Sequence, residues 1–259
     1  MARDLSRSSF LSSAPQWLSV SASSLNRANG AISVECWVNA NDFTDDGSGL
    51  LYIAAYNVGS GGSNEGWWLL LNRTNSNSLE FGSWDGVDHK AAWGANPGVT
   101  WTTGTWHHLT GSWDGTNTWK IYFDGVQKAS STDTQGPCSG ANGPFAIGAF
   151  YNGTAGRFFF GRVAESTVRN VALTDREVAA LAAGVLTRRV RPASIIGYWP
   201  LAGLTSPEPD LSGNANNLTL TNSPGAANHA PVTLWTPRSP AFPQFDVAAG
   251  DVLMGQACL

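Results

Sequence analysis

Residues 105–129 read TWHHLTGSWDGTNTWKIYFDGVQKA. From Trp119 the alternation Trp119, Ile121, Phe123 puts three large apolar groups on one side of an extended chain. Thr118, Lys120 and Tyr122 fall on the other side, the period of two that marks a half-buried strand. Trp106 to Trp113 is a second extended run, and the Asp114-Gly115-Thr116-Asn117 link uses residues that tolerate positive φ. Asp124-Gly125 is a stronger turn signal, because a type I′ hairpin needs positive φ at both central positions. Consecutive antiparallel strands are expected here.

The pattern continues on both sides. Upstream, Ile32, Val34, Cys36 and Val38 share one face of an early strand, and Trp17, Leu18 and Val20 mark an extended segment before it. Residues 50–58 and 66–73 (GWWLLLNR, the most hydrophobic run) read as strands, the second of them central. Residues 79–84 and 89–93 continue the meander through an Asp85-Gly86 turn. Downstream, residues 145–150 and 157–168 add two strands. A short helix follows between Thr174 and Gly184, with Thr174 as N-cap, Glu177 as the reciprocal capping residue and Gly184 as the stop.

Several of these pieces resemble laminin-G-like domains of the concanavalin A-like lectin/glucanase superfamily. The order Trp-His-His-Leu (106–109), Trp-Asp-Gly (113–115) and Ile-Tyr-Phe-Asp-Gly-Val (121–126) looks like the central hairpin of that family. ISVECWV (32–38) is similar to its early core strand, and FGRVAE (160–165) with LTDRE (173–177) to its late strand and helix. The match spans roughly residues 8 to 190. It implies an all-β fold, a two-sheet antiparallel jelly-roll sandwich with one short helix. A fold does not fix a function.

Residues 1–230 are assigned to this sandwich, within which 194–230 either closes the same sheet or forms a small appended β unit. Residues 231–259 read differently. Pro231, Pro237, Pro240 and Pro243 alternate with Trp235, Phe242 and Phe245, which suits an extended arm whose apolar groups fill pockets on a partner.

Only 13% of the residues are charged and the formal charge is −4, so there is no basic footprint for nucleic acid. No apolar run reaches the length of about 18 residues that spans a bilayer, so no membrane insertion is expected. The first 14 residues lack the apolar core of a signal peptide, which points to synthesis in a cytoplasm. Cys36, Cys138 and Cys258 are odd in number and widely spaced, matching neither a disulfide framework nor a zinc site.

Glycosidases of the superfamily carry a Glu-x-Asp-x-(x)-Glu strand that supplies acid and nucleophile. None of the six glutamates (Glu35, Glu65, Glu80, Glu165, Glu177 and Glu208) has Asp two residues later, so no enzyme and no catalytic residue is expected. His107 and His108 are adjacent in a strand and point to opposite faces, so they do not chelate one ion together. The family resemblance allows Ca²⁺, for which Asp42, Asp45 and Asp46 are the candidate ligands, with Asp85 and Asp88 a second acidic pair. For a carbohydrate the candidate site is Trp84, Asp85, Asp88, His89 and Trp93, aromatic walls around a polar turn.

Two functional classes follow. GYWPL, DLSGNANN and NHAPV in the last third resemble flanking segments of phage- and prophage-encoded laminin-G-like proteins. With the terminal arm, this favours a non-enzymatic structural or adhesion protein of a bacteriophage particle, a capsid decoration or appendage subunit. Its partners would be other virion subunits and host-surface or environmental glycans, its place the virion surface. The alternative is a free carbohydrate-binding module at a bacterial cell surface or outside the cell.

Overall fold

The computed structural model describes residues 2–5, 15–28, 30–41, 43, 47–58, 64–74, 78–94, 102–138, 143–151, 155–203 and 206–232. The strands in chain order are β1 (Ala2–Asp4), β2 (Trp17–Ser21), β3 (Ile32–Ala40), β4 (Leu50–Val58), β5 (Asn64–Asn72) and β6 (Ser78–Trp84). They continue with β7 (Asp88–Trp93), β8 (His107–Trp113), β9 (Thr118–Phe123), β10 (Val126–Thr132), β11 (Pro144–Ile147) and β12 (Phe150–Tyr151). Then come β13 (Ala155–Gly156), β14 (Gly161–Arg169), the helix α1 (Asp175–Ala182), β15 (Ile195–Trp199), β16 (Thr219–Thr221) and β17 (Gly225–Ala227).

Among the described residues these strands form two large antiparallel sheets. One is eight-stranded, β10-β9-β8-β3-β14-β1-β17 with β15 also on β14, and the other is seven-stranded, β16-β2-β11-β4-β5-β6-β7. β12 and β13 make a separate small hairpin. The two-sheet sandwich with one helix is the architecture expected from the sequence. The strands after α1 join both sheets: β15 pairs with β14, β16 with β2 and β17 with β1.

The inward faces meet in one core. Ile32, Val34, Cys36 and Val38 of β3 pack with Leu109 and Trp113 of β8, Trp119, Ile121 and Phe123 of β9, and Trp67, Leu69 and Phe81 of the opposite sheet. The close approach of the sheets needs a bare strand at Gly111, where a Cβ would fall 2.1 Å from the Phe81 ring. At the central hairpin Asp124 and Gly125 both have positive φ, 49° and 78°, as the type I′ turn requires.

The outward face of the eight-stranded sheet is covered. Tyr122 packs with Leu173, Val178, Leu181 and Val190 from α1 and the segment after it. Further along, Trp37 and Ala164 pack with Ala230, with Trp106 and Val232 alongside. On the outward face of the seven-stranded sheet Tyr52, Trp68, Leu70 and Glu80 are buried, with Trp84, Lys90 and Phe150 half-buried beside them.

Candidate functional site

Residues directly opposite each other on paired strands share a face. In β6, Leu79 and Phe81 enter the core, so Glu80, Gly82 and Trp84 point outward. β7 is registered with Trp84 opposite Asp88, Ser83 opposite His89, Gly82 opposite Lys90 and Leu79 opposite Trp93. Asp88 and Lys90 therefore point outward, while His89 and Trp93 point inward. The five residues expected to form one carbohydrate site are divided by this register: Trp84 and Asp88 share the outer face, Asp85 sits in the turn, and His89 and Trp93 lie behind the sheet.

The inward pair is engaged structurally. Trp93 packs on Phe123 at 5.2 Å between ring centroids, with the Lys128 ammonium 5.1 Å over its ring. The His89 ring lies between two carboxylates, Nδ1 at 2.7 Å from Asp133 Oδ2 and Nε2 at 3.0 Å from Asp85 Oδ1. Burial opposes a proton on His89, but the bonds to Asp133 and Asp85 outweigh it and raise its pKa. The ring ties the turn to the residues after β10.

On the outer face an open groove of about 440 Å³ crosses β4 to β7. Tyr52, Trp68 and Leu70 floor it, and these residues form one apolar cluster with Trp84 and Phe150. Trp68 is only 3% exposed, and its indole N–H meets no acceptor among the described residues. Phe150 stands edge-on to Tyr52 at 5.4 Å. The Arg157 guanidinium lies over both rings, 4.9 Å from Phe150 and 5.6 Å from Tyr52, and donates to the Tyr52 hydroxyl at 3.1 Å. Behind this wall Trp17 packs on Tyr151 and Phe158, so the outer face of β2 is occupied.

The side of the groove nearest β7 is polar. Glu80, 2% exposed, accepts from Ser78 Oγ at 2.7 Å and Asn72 Nδ2 at 3.2 Å on one oxygen. Its other oxygen accepts from Lys90 Nζ at 2.9 Å, and Lys90 also donates to Asp88 Oδ2 at 2.7 Å. Burial works against the Lys90 charge, but the bonds to Asp88 and Glu80 prevail and raise its pKa. Lys90 reaches this position because Gly82 opposite it has no side chain: a Cβ there would lie 2.4 Å from Lys90 Cβ and from His89 O.

The remaining candidates resolve as follows. Asp42, Asp45 and Asp46, the expected Ca²⁺ ligands, lie outside the described residues, as do Trp235, Phe242 and Phe245 of the arm and Cys258. Among the described residues no three His, Cys, Asp or Glu side chains gather as a metal site would require. Among the described residues no helix is long and apolar enough to cross a membrane. His107 pairs with Asp124 at 2.8 Å, whereas His108 lies on the opposite side of the strand against Trp37. Burial pushes the His108 pKa down to about 4, against the pull of Glu35 and Asp124.

Tyr52, Trp68, Glu80, Lys90, Phe150 and Arg157 were absent from the sequence-based site. They come from six strands or strand ends, which no local pattern links. One signal was available: the run GWWLLLNR is apolar on both faces, so its outward residues need a second apolar partner or a ligand.

The laminin-G-type family model described as the concanavalin A-like lectin/glucanases superfamily matches residues 13–179. No curated protein matches the sequence. Among solved structures, a protein from Bacteroides ovatus ATCC 8483, provisionally described as carbohydrate binding, is 19% identical with a TM-score of 0.59. The alignment covers 88% of this chain and 61% of that one, so this chain spans about three fifths of that relative's length. A native heptameric SAP-like pentraxin from Limulus polyphemus is 14% identical with a TM-score of 0.51, over 70% of this chain and 81% of that one. At such identities the likeness is one of fold.

Proposed function

We propose that this chain, which belongs to the concanavalin A-like lectin/glucanases superfamily, is a glycan-binding module whose site is the outer groove of the seven-stranded sheet. The observation that carries this reading is an open groove with half-buried aromatic walls. Trp84 and Phe150 stand half-buried over a buried floor of Tyr52, Trp68 and Leu70, beside Asp88, Lys90 and Arg157. Aromatic faces take the C–H side of a sugar ring, and the few polar groups at the rim take its hydroxyls.

The module is read as non-catalytic. Glu80 and Asp88 are the carboxylates of the groove, and both Glu80 oxygens are already taken by Ser78, Asn72 and Lys90. With Lys90 bonded to both, these two carboxylates are not set as the acid and nucleophile of a glycosidase. An extracellular or cell-surface place suits a free glycan binder. The virion-subunit reading rests on sequence resemblance and on an arm outside the described residues, and no feature of the fold favours it.

A glycan array probed with the wild-type chain and with Trp84→Ala tests the proposal. Binding to at least one glycan, lost or weakened in the variant, is the expected outcome. Absence of binding to every glycan, or binding indifferent to Trp84, sinks it.

A further inference from the structure

The groove has a chemically distinct side where β7, the edge strand, carries Asp88 and Lys90. Lys90 spends two of its three N–H groups on Glu80 and Asp88. The third remains to donate, and the second oxygen of Asp88, whose side chain is 44% exposed, remains to accept. Donor and acceptor thus sit side by side, since their own groups are 2.7 Å apart. Neighbouring hydroxyls on one sugar ring offer the matching pair, one accepting from Lys90 while the other donates to Asp88.

Charge narrows the ligand further. Glu80 and Asp88 contribute two negative charges and Lys90 one positive, a formal balance of −1 within one hydrogen-bonded cluster. Glu80 is buried, so water screens it poorly. The other cation of the groove, Arg157, flanks β4, with its carbonyl accepting from Tyr52 N. Its guanidinium lies over Phe150 and Tyr52 and bonds the Tyr52 hydroxyl, so it is engaged on the β4 side of the groove, away from the Lys90–Asp88 pair on the edge strand. The lysine is also fixed: with Gly82 bare beneath it, its stem crosses β6 toward Glu80.

We infer that the Lys90–Asp88 side of the groove takes an uncharged sugar through two neighbouring hydroxyls and turns away sugars bearing a carboxylate or sulfate; this rests on the glycan-binding reading above. Lys90 and Asp88 become the residues that set specificity, and Trp84 the ring on which the sugar stacks.

The test is an array of neutral glycans and their uronic-acid, sialylated and sulfated counterparts, followed by calorimetric titration of the best neutral probe and its acidic partner. Wild-type chain is expected to bind the neutral probe at least about tenfold more tightly than the acidic one. Asp88→Asn is expected to weaken the neutral probe about tenfold while improving the acidic one, so that the preference narrows or inverts at low salt. A merely structural role for Asp88 would move both in the same direction. Equal or tighter binding of the acidic probe by the wild-type chain, or an unchanged ratio in Asp88→Asn, overturns the inference while leaving the groove as a glycan site if Trp84→Ala still abolishes binding. Absence of binding to either class overturns the glycan-binding reading itself, and this inference with it.

Discussion

Outward residues of β3, β9 and β14 on one sheet meet α1, the segment after it and residues 229–232; outward residues of β4 to β7 on the other sheet border an open groove. The two faces solve opposite problems. Under the cover, polar groups are cut off from water and must satisfy one another. Arg169, fully buried, bonds to Glu35 at 3.2 Å, to Val190 O at 2.6 Å and to Thr187 O at 2.9 Å, while Ser33 Oγ accepts from Leu173 N. On the open face Asp88 and Lys90 keep groups toward the groove, and the Trp84 and Phe150 rings stay half-exposed above a buried floor. A covered face therefore shows its importance as stability, and an open one as binding.

The sharpest way to break this contrast is to remove one member of the buried pair. Arg169→Met leaves Glu35 charged and unpaired under the cover and is expected to cost about 3–5 kcal/mol, read as a shift in the urea midpoint. Glycan binding per folded molecule should not change. The double variant Glu35→Leu, Arg169→Met should recover much of the loss, because a buried ion pair is worth far less than the penalty for breaking it.

Acid probes the same face. His108 titrates near 4 in the folded chain but near 6.5 when unfolded. As pH falls through 6.5 the unfolded chain takes up the proton first, so stability is lost from there until about pH 4. A difference of that size corresponds to roughly 3 kcal/mol. His229 and His89 act in the opposite sense. Their raised pKa values, from Glu165 and from Asp133 with Asp85, favour the fold at low pH and lose that contribution as pH rises through them. Urea midpoints between pH 7.5 and 4, compared with those of His108→Gln, isolate the His108 part. An unchanged slope in the variant would show that the acid loss arises elsewhere.

On the open face the expected pattern reverses. Trp84→Ala should weaken the best glycan by about 1–3 kcal/mol with little loss of stability, whereas Trp93→Ala should lower stability and spare the binding of what remains folded. Titration and denaturation of both variants make the comparison. Equal binding losses would mean that the groove depends on the packing behind it.

Much of this division is legible in the sequence. Alternation assigned Trp119, Ile121 and Phe123 to the core and Lys120 and Tyr122 to the other side, as the hairpin has them. The site was less legible because parity depends on register across a turn. Trp84 and Trp93 flank one turn and look like two walls of one pocket, yet with Trp84 opposite Asp88, Trp93 stands five residues on and faces the other way. Trp67 and Trp68 pose the same problem: adjacent and chemically equal, they are told apart only by which of them reaches the core. Phe150 and Arg157 join the groove through a separate hairpin that no sequence period announces.

The smallest effect lies at the helix that covers the closed face. The Thr174 hydroxyl accepts from Glu177 N at 3.4 Å, a long bond, while Glu177 Oε2 accepts from Thr174 N at 2.7 Å and from the Thr174 hydroxyl at 2.8 Å. Arg191 holds the other Glu177 oxygen. Thr174→Ala therefore removes the hydroxyl half of the capping box and leaves the backbone half, with its carboxylate still anchored by Arg191. The expected loss is about 0.5–1 kcal/mol, at the low end for an N-cap. It should appear as faster hydrogen exchange in the first turn of α1 and a small shift in the urea midpoint. Glu177→Ala should cost more, since it deprives Thr174 N and Arg191 together. Because α1 packs on one sheet and the groove opens on the other, neither variant should alter glycan affinity. A change in affinity in Thr174→Ala would mean that the cover of one face sets the shape of the other through the core between them.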